Sequence, residues 1–451
     1  MNNKLFTVFI FLISVFFIPS TAYAYLDPGT GNALVYVFLS LLGAVFYFLK
    51  GVFYKFKTSK ELNKEKGFLD YSSDESASIV IFSEGKAYWT TYKPLIEKLI
   101  EKGQYFSYYT MDRHDPCLLI DNPLINNLFI GDGNAAYAKM GNLRAGIVIT
   151  TTPNFGTKGY PIPRSKRIKN LVYTFHGFSD LAFLRRGSLD CYDTVMLMGE
   201  FEIVLIRKLE QLRNLPAKKL VPGGILYMDE LLENSKRFLV GSETHRLNSK
   251  VFDAENIANI TVLLAPSYGA KGFLSYYDIS FAEKLAMQGF KLIFRPHPQS
   301  FKEESKILQK VKVRLEKYSN VEWDINPDGT ESFKKADILI SDMSGVKIDF
   351  AFVYQKPFIT LPVSLHNLED FEIADLGGSW TEKALQEIGY QIKSNEIDKL
   401  DKIILKVLNE KTSELIEEFR NKHVYNWGNA GNVIAEYLID EHNKLKNKVK
   451  Q

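Results

Sequence analysis

Three short groups of residues in this 451-residue chain have the types and spacing to handle an anionic substrate. The first is Ser341-Asp342-Met343-Ser344-Gly345-Val346. It follows an apolar run, Ile338 to Ile340, and precedes Val346, Ile348, Phe350, Ala351 and Phe352, an apolar face suited to a helix packed on a sheet. A strand that ends in small hydroxyl residues and opens into a helix presents free N–H groups and the positive end of a dipole, which together attract phosphate. Ser341, Ser344 and the N–H groups of Gly345 and Val346 are read as donor-binding on that ground, with Asp342 beside them. The second group is Arg295-Pro296-His297-Pro298. Its two prolines fix the turn and leave a guanidinium and an imidazole aimed as donors to a pyrophosphate. Ser267, just beyond the apolar run Thr261 to Ala265, is counted on the same side. The third group is His176-Gly177, at the end of the apolar run Leu171 to Phe175. Asp342 and Asp349 are each open to two roles, capping a helix or binding a hydroxyl of the ligand, with capping favoured for Asp342. Lys347 is read as a solvated helix lysine in preference to a charge donor.

These groups need elements to hold them. Ile79 to Phe82 reads as a buried strand, and Trp89 to Ile100 as a helix with Tyr92, Leu95, Ile96, Leu99 and Ile100 on one face. Further short apolar runs at Tyr105 to Thr110, Leu128 to Ile130, Ile147 to Thr150 and Leu171 to Phe175 alternate with helical stretches. That alternation predicts a parallel sheet covered on both faces, with ligands beyond the carboxyl ends of its strands. His176 stands on that rim, and Glu84 and Asp112 stand at other strand ends. The polar stretch Gly241 to Asn259 marks a boundary. A second βα series then runs through strands at Thr261 to Ala265, Lys291 to Phe294, Val321 to Trp323, Ile338 to Ile340 and Lys356 to Leu361, with a lysine-rich helix at Glu303 to Tyr318. The fold class expected is α/β, with two Rossmann-like domains facing a cleft (GT-B-like) over 79–240 and 260–445, the second ending in helices. N-terminal membrane segments precede them.

The expected membrane segments come from two apolar stretches. Leu5 to Ile18, with Lys4 before it and Ala22-Tyr23-Ala24 after it, reads as a signal peptide or an uncleaved signal anchor over 1–24. Ala33 to Leu49 carries no charge and reads as a transmembrane helix. Lys50, Lys55, Lys57 and Lys60 follow it and place that flank in the cytoplasm. A polar linker, 60–78, comes next. The expected location is the cell inner membrane, with the catalytic part on the cytoplasmic side.

A net charge of +3 on 451 residues gives no case for a nucleic-acid partner. Cys117 and Cys191 lack metal-ligand spacing and read as buried free thiols. The acidic residues show no paired Asp-x-Asp, so no metal and no cofactor are expected; charge on a substrate falls to side chains and helix ends.

Taken in order, several motifs resemble the CDP-glycerol glycerophosphotransferases, the teichoic-acid polymerase and primase family. They are Ser83 to Ile96, His176-Gly177, Arg295-Pro296-His297-Pro298, and Ser341 to Val346 with Asp349-Phe350-Ala351 and Lys356-Pro357. Tyr425 to Tyr437 is a fainter match. The chain departs from the family at Gly345, where a second serine is expected, at Met343, where a tyrosine is, and after Pro362. The resemblance implies transfer of glycerol phosphate from CDP-glycerol to a membrane lipid or lipid-linked polymer acceptor, by attack on the β-phosphorus with release of CMP. It implies catalytic roles for His176, as base toward the acceptor, and for His297. Two other readings stay open: a glycosyltransferase of the same scaffold using a nucleotide sugar, and a non-catalytic scaffold of envelope assembly.

Overall fold

The computed structural model describes residues 78–239, 252–253, 255–269, 272–326, 329–363 and 368–450. The expected signal, membrane and linker segments, apart from Ser78, lie outside the described residues. Among the described residues no helix is long and apolar enough to cross a membrane. Both sheets belong to one compact unit, Gly67–Gln451.

The first sheet has seven parallel strands in the order β3-β2-β1-β4-β5-β6-β7. They are β1 (Ile79–Ser83), β2 (Phe106–Thr110), β3 (Ile125–Phe129), β4 (Ala145–Thr150), β5 (Ile168–Tyr173), β6 (Thr194–Leu197) and β7 (Lys219–Pro222). The second sheet has six parallel strands in the order β10-β9-β8-β11-β12-β13. These are β8 (Thr261–Leu264), β9 (Lys291–Phe294), β10 (Val321–Trp323), β11 (Ile338–Ser341), β12 (Phe358–Thr360) and β13 (Gly389–Gln391). The central strands are apolar on both faces because helices cover both, and β1 and β4 are buried along their whole length. In both sheets chain order reverses beside the first strand, at β1/β4 and at β8/β11. Such switch points are where open α/β sheets leave a crevice.

Two elements differ from the expectation. β3 starts at Ile125, before the apolar run, because Asn127 spends its side-chain amide on the carbonyls of Cys117 and Ile120 and so fits a half-buried edge. The lysine-rich helix is two, Ser300–Glu303 and Ser305–Leu315. The break falls at Glu304, whose carboxylate accepts the Ser300 hydroxyl at 2.6 Å.

The domains exchange elements. Helix Ala430–Lys450 was expected in the second half, yet Ala430, Ile434, Ala435 and Leu438 lie in the core of the first, against Tyr92, Leu95 and Leu99. The amphipathic pattern shows an apolar face without naming its partner. Gly431 permits the crossing: a Cβ there would lie 2.9 Å from the Pro94 carbonyl oxygen. Asp229 accepts the Gly431 N–H at 2.8 Å, anchoring the first turn of this helix to the first domain. In return, the segment after Pro362 reaches the first domain with short elements, Ile373–Leu376 and Trp380–Ala384. Trp380 stacks on Phe201 with ring centroids 3.9 Å apart. Buried Asp180 accepts the Thr381 N–H at 3.0 Å and the hydroxyls of Ser379 and Thr381 at 2.5 Å each.

Candidate functional site

Between the domains lies a cavity of about 550 Å³. One wall belongs to the first domain and includes Tyr88, Thr91, His176 to Asp180, and Tyr227. The opposite wall is the turn Met343 to Asp349, and the segment after Pro362 adds Thr381, Glu382, Gln386 and Tyr390.

His176 follows β5, where the strand direction points it at the cleft. Its ring is open to solvent in the cavity, yet the surrounding walls desolvate it, and that lowers its pKa from the ordinary 6.5. Tyr88 packs edge-on at 5.8 Å between centroids, and Thr91 donates its hydroxyl to the His176 carbonyl at 3.3 Å. The backbone is thus tied to helix Trp89–Glu101 and the ring packs on Tyr88 just before it, and the imidazole is neutral near pH 7, the state a base needs.

Across the cavity, helix Val346–Tyr354 begins at Gly345. Gly345 is exposed and its N–H has no acceptor among the described residues. The Ser344 hydroxyl accepts the Val346 N–H at a long 3.4 Å. This helix start is therefore open to an anion. A Cβ on Gly345 would come within 4.0 Å of the Phe178 carbonyl oxygen, so the two walls nearly touch here.

The remaining expected residues serve differently. Asp342 is fully buried. It accepts from the Ser267 N–H at 3.0 Å, the Ser267 hydroxyl at 2.5 Å, the Phe273 N–H at 2.7 Å and the Ser344 N–H at 3.2 Å. Burial raises its pKa against these bonds. The Ser341 hydroxyl donates to the Ala265 carbonyl at 2.6 Å. The side chains of Ser341, Asp342 and Ser267 form a scaffold that ties β8 to β11 and shapes the turn. Replacing Asp342 by alanine leaves three N–H groups and a hydroxyl without their acceptor. It should lower unfolding free energy by about 3 kcal/mol or more, read as a drop in melting temperature; an unchanged melt would show the carboxylate is not the anchor.

Arg295 pairs with Asp324 at 2.6 Å. The His297 ring lies 4.7 Å from Tyr268, and its Nδ1 accepts the Gln299 N–H at 3.1 Å. Burial lowers the His297 pKa, which Glu304 and Asp342 oppose. Both residues sit past β9 and outside the lining of the cavity. Glu84 and Asp112 also stand off it, and the Asp112 carboxylate accepts the N–H groups of Lys86 and His114. The cavity therefore gathers His176, Ser344, Gly345 and Val346 from the sequence-derived set.

It adds groups the sequence reading undervalued. Lys347 is not solvated: it is 9% exposed, lines the cavity and has a pKa lowered by burial to about 8. Asp349 accepts the Tyr227 hydroxyl at 3.3 Å, and burial raises its pKa to about 7. Burial also raises Glu382. Among the described residues no three His, Cys, Asp or Glu side chains are grouped to hold a metal ion.

A cleft between two parallel-sheet α/β domains, lined from strand ends and a helix start, defines the GT-B architecture. Solved structures share it. Wall teichoic acid polymerase TagF matches with a TM-score of 0.51 and 15% identity over 89% of this chain and 99% of that one. A TagF variant soaked with CDPG matches with a TM-score of 0.52 and 15% identity over the same shares. UDP-GlcNAc 2-epimerase from Methanocaldococcus jannaschii matches with a TM-score of 0.50 and 16% identity, over 80% of this chain and 99% of that one. At these identities the likeness is one of fold. No family model matches the chain, and no match is found among curated proteins.

Proposed function

We propose that the chain transfers glycerol phosphate from CDP-glycerol to a hydroxyl of a membrane-associated acceptor in cell-envelope polymer synthesis. The observation that carries this reading is one cavity with His176 on one wall and the open helix start at Gly345 on the other. The motif order and the fold shared with TagF support it. His176 takes the proton of the acceptor hydroxyl as that oxygen bonds to the β-phosphorus. The bond to the bridging oxygen breaks and CMP leaves with the electron pair. The Gly345 N–H and the helix dipole offset charge on the phosphoryl oxygens. His297, past β9, is kept as a second candidate for this chemistry. On this reading the chain is tethered by its apolar N-terminal segments with the cleft on the cytoplasmic face of the inner membrane, close to a lipid-linked acceptor.

Inverted membrane vesicles from cells expressing the chain should move label from CDP-glycerol into a lipid-linked fraction and release CMP. A parallel panel of UDP- and GDP-sugars should give no transfer. Sugar transfer with release of UDP or GDP would replace the reading with that of a glycosyltransferase, and label entering only sealed right-side-out vesicles would place the cleft on the other face.

A further inference from the structure

Lys347 occupies a position that ordinary helix energetics disfavour. It is the second residue of helix Val346–Tyr354, where the dipole end is already positive and a cation is destabilising. It is also buried, and a buried ammonium needs its three N–H donors satisfied. Among the described residues its one hydrogen bond is to the Asp342 carbonyl oxygen, at 2.9 Å. The carboxylate of Asp342 acts on it through space but makes no hydrogen bond to it among the described residues, its oxygens being taken by Ser267, Phe273 and Ser344. Glu382, across the cavity wall, supplies the other negative charge that acts on it. Residues that break a local rule without a structural gain mark functional positions. Its remaining donors are left to the cavity that Lys347 lines, where an anion would satisfy both the donors and the charge.

We propose that Lys347 is a donor-binding residue that completes a diphosphate site. The helix start at Gly345 holds one phosphate, and the Lys347 ammonium holds the other. This rests on the reading that the cavity takes a nucleotide diphosphate donor, but it does not depend on which base or transferred group the donor carries. The ligand class is a diphosphate diester, with inorganic pyrophosphate as its simplest mimic. A single phosphate engages the helix start alone and is indifferent to Lys347.

The test is calorimetric titration of the full-length chain with pyrophosphate, CDP and CMP, comparing wild type with Lys347→Gln. The glutamine amide can still donate to the Asp342 carbonyl but carries no charge. Pyrophosphate and CDP affinity should fall about 10- to 100-fold, the size of a lost hydrogen bond to a charged group, while CMP affinity changes little. The melting temperature of unliganded Lys347→Gln should hold or rise, since a buried charge has left the positive end of a helix. Unchanged pyrophosphate affinity would overturn the proposal, as would equal losses for CMP and CDP. A melting temperature that falls in Lys347→Gln and is restored in Lys347→Arg, with pyrophosphate affinity the same in both, would make the lysine structural and equally overturn it. Should Lys347→Gln not fold, Lys347→Arg decides: retained selectivity for CDP over CMP upholds the diphosphate site, and its loss refutes it. These binding measurements require no turnover. Failure of CDP-glycerol as a substrate with the diphosphate selectivity intact would thus refute the proposed reaction and leave this inference standing.

Discussion

His176→Ala is expected to lower transfer by about 10²–10⁴-fold, the usual contribution of a positioned general base, while nucleotide affinity and melting temperature stay close to wild type. The stability side follows from placement. The residue is exposed in the cavity and its ring packs edge-on with Tyr88, so its removal opens no buried void. The rate side follows from protonation. The acceptor hydroxyl must lose its proton as it attacks, and only the neutral imidazole can take it. Desolvation by the cavity walls disfavours imidazolium and moves its pKa below 6.5. For a base the sign is fixed: kcat/KM rises with pH through the pKa of the free enzyme and is flat above it. The wild-type acid limb should therefore be centred below 6.5. A limb centred near 7 that survives in His176→Ala would instead assign the base to Asp349, whose carboxyl titrates at about 7. Wild-type rates in His176→Ala would remove catalysis from this wall altogether.

The parts of this site that could be read from sequence are those fixed by local chemistry. Lys291 to Phe294 and Val321 to Trp323 are legible to the residue because apolar runs stop abruptly at polar or proline neighbours. The rim position of His176 follows from the direction of β5. The helix start at Gly345 is legible for the same reason, since a buried strand must end before a polar turn. Side-chain partners are less visible. Asp342, Ser341 and Ser267 share one turn chemistry whether they face a ligand or one another, and only the approach of β8 to β11 decides that they face one another. Lys347 looks solvated because helical periodicity cannot show that a second domain covers its face. The segment after Pro362 is illegible for a different reason. Its helices and strand run three to five residues, too short for any period; the helices take their order from the first domain on which they rest, and the strand from pairing with β12.

That dependence makes Arg213 the residue whose loss should cost the fold most. It ends helix Phe201–Arg213 and reaches across to the segment after Pro362. Its guanidinium donates to Asp190 at 2.8 Å, to Asp375 at 2.7 Å and to both oxygens of Glu372, one of them at 3.1 Å. Burial works against its charge, but hydrogen bonds to Glu372, Asp375 and Asp190 more than offset this and raise its pKa. Glu372 is wholly buried and, among the described residues, keeps only the Gly187 N–H, at 2.9 Å, as a second donor. Arg213→Met therefore strands a buried carboxylate, which costs about 3–5 kcal/mol and should appear as an equal loss of unfolding free energy in denaturant. Lysine is no substitute, because one ammonium cannot span three carboxylates. The double variant Arg213→Met, Glu372→Leu should recover most of the loss, since removing both members of a buried pair is far cheaper than removing one. The effect reaches the site as well. Phe371, Thr381 and Glu382 line the cavity on the segment that Arg213 clasps. Loosening it should raise KM for the donor more than it lowers kcat, because His176 and the helix start at Gly345 keep their own anchors. A single variant as stable as wild type, or a double variant no better than the single, would show that the stacking of Trp380 on Phe201 and the bonds to Asp180 hold the domains together without this cluster.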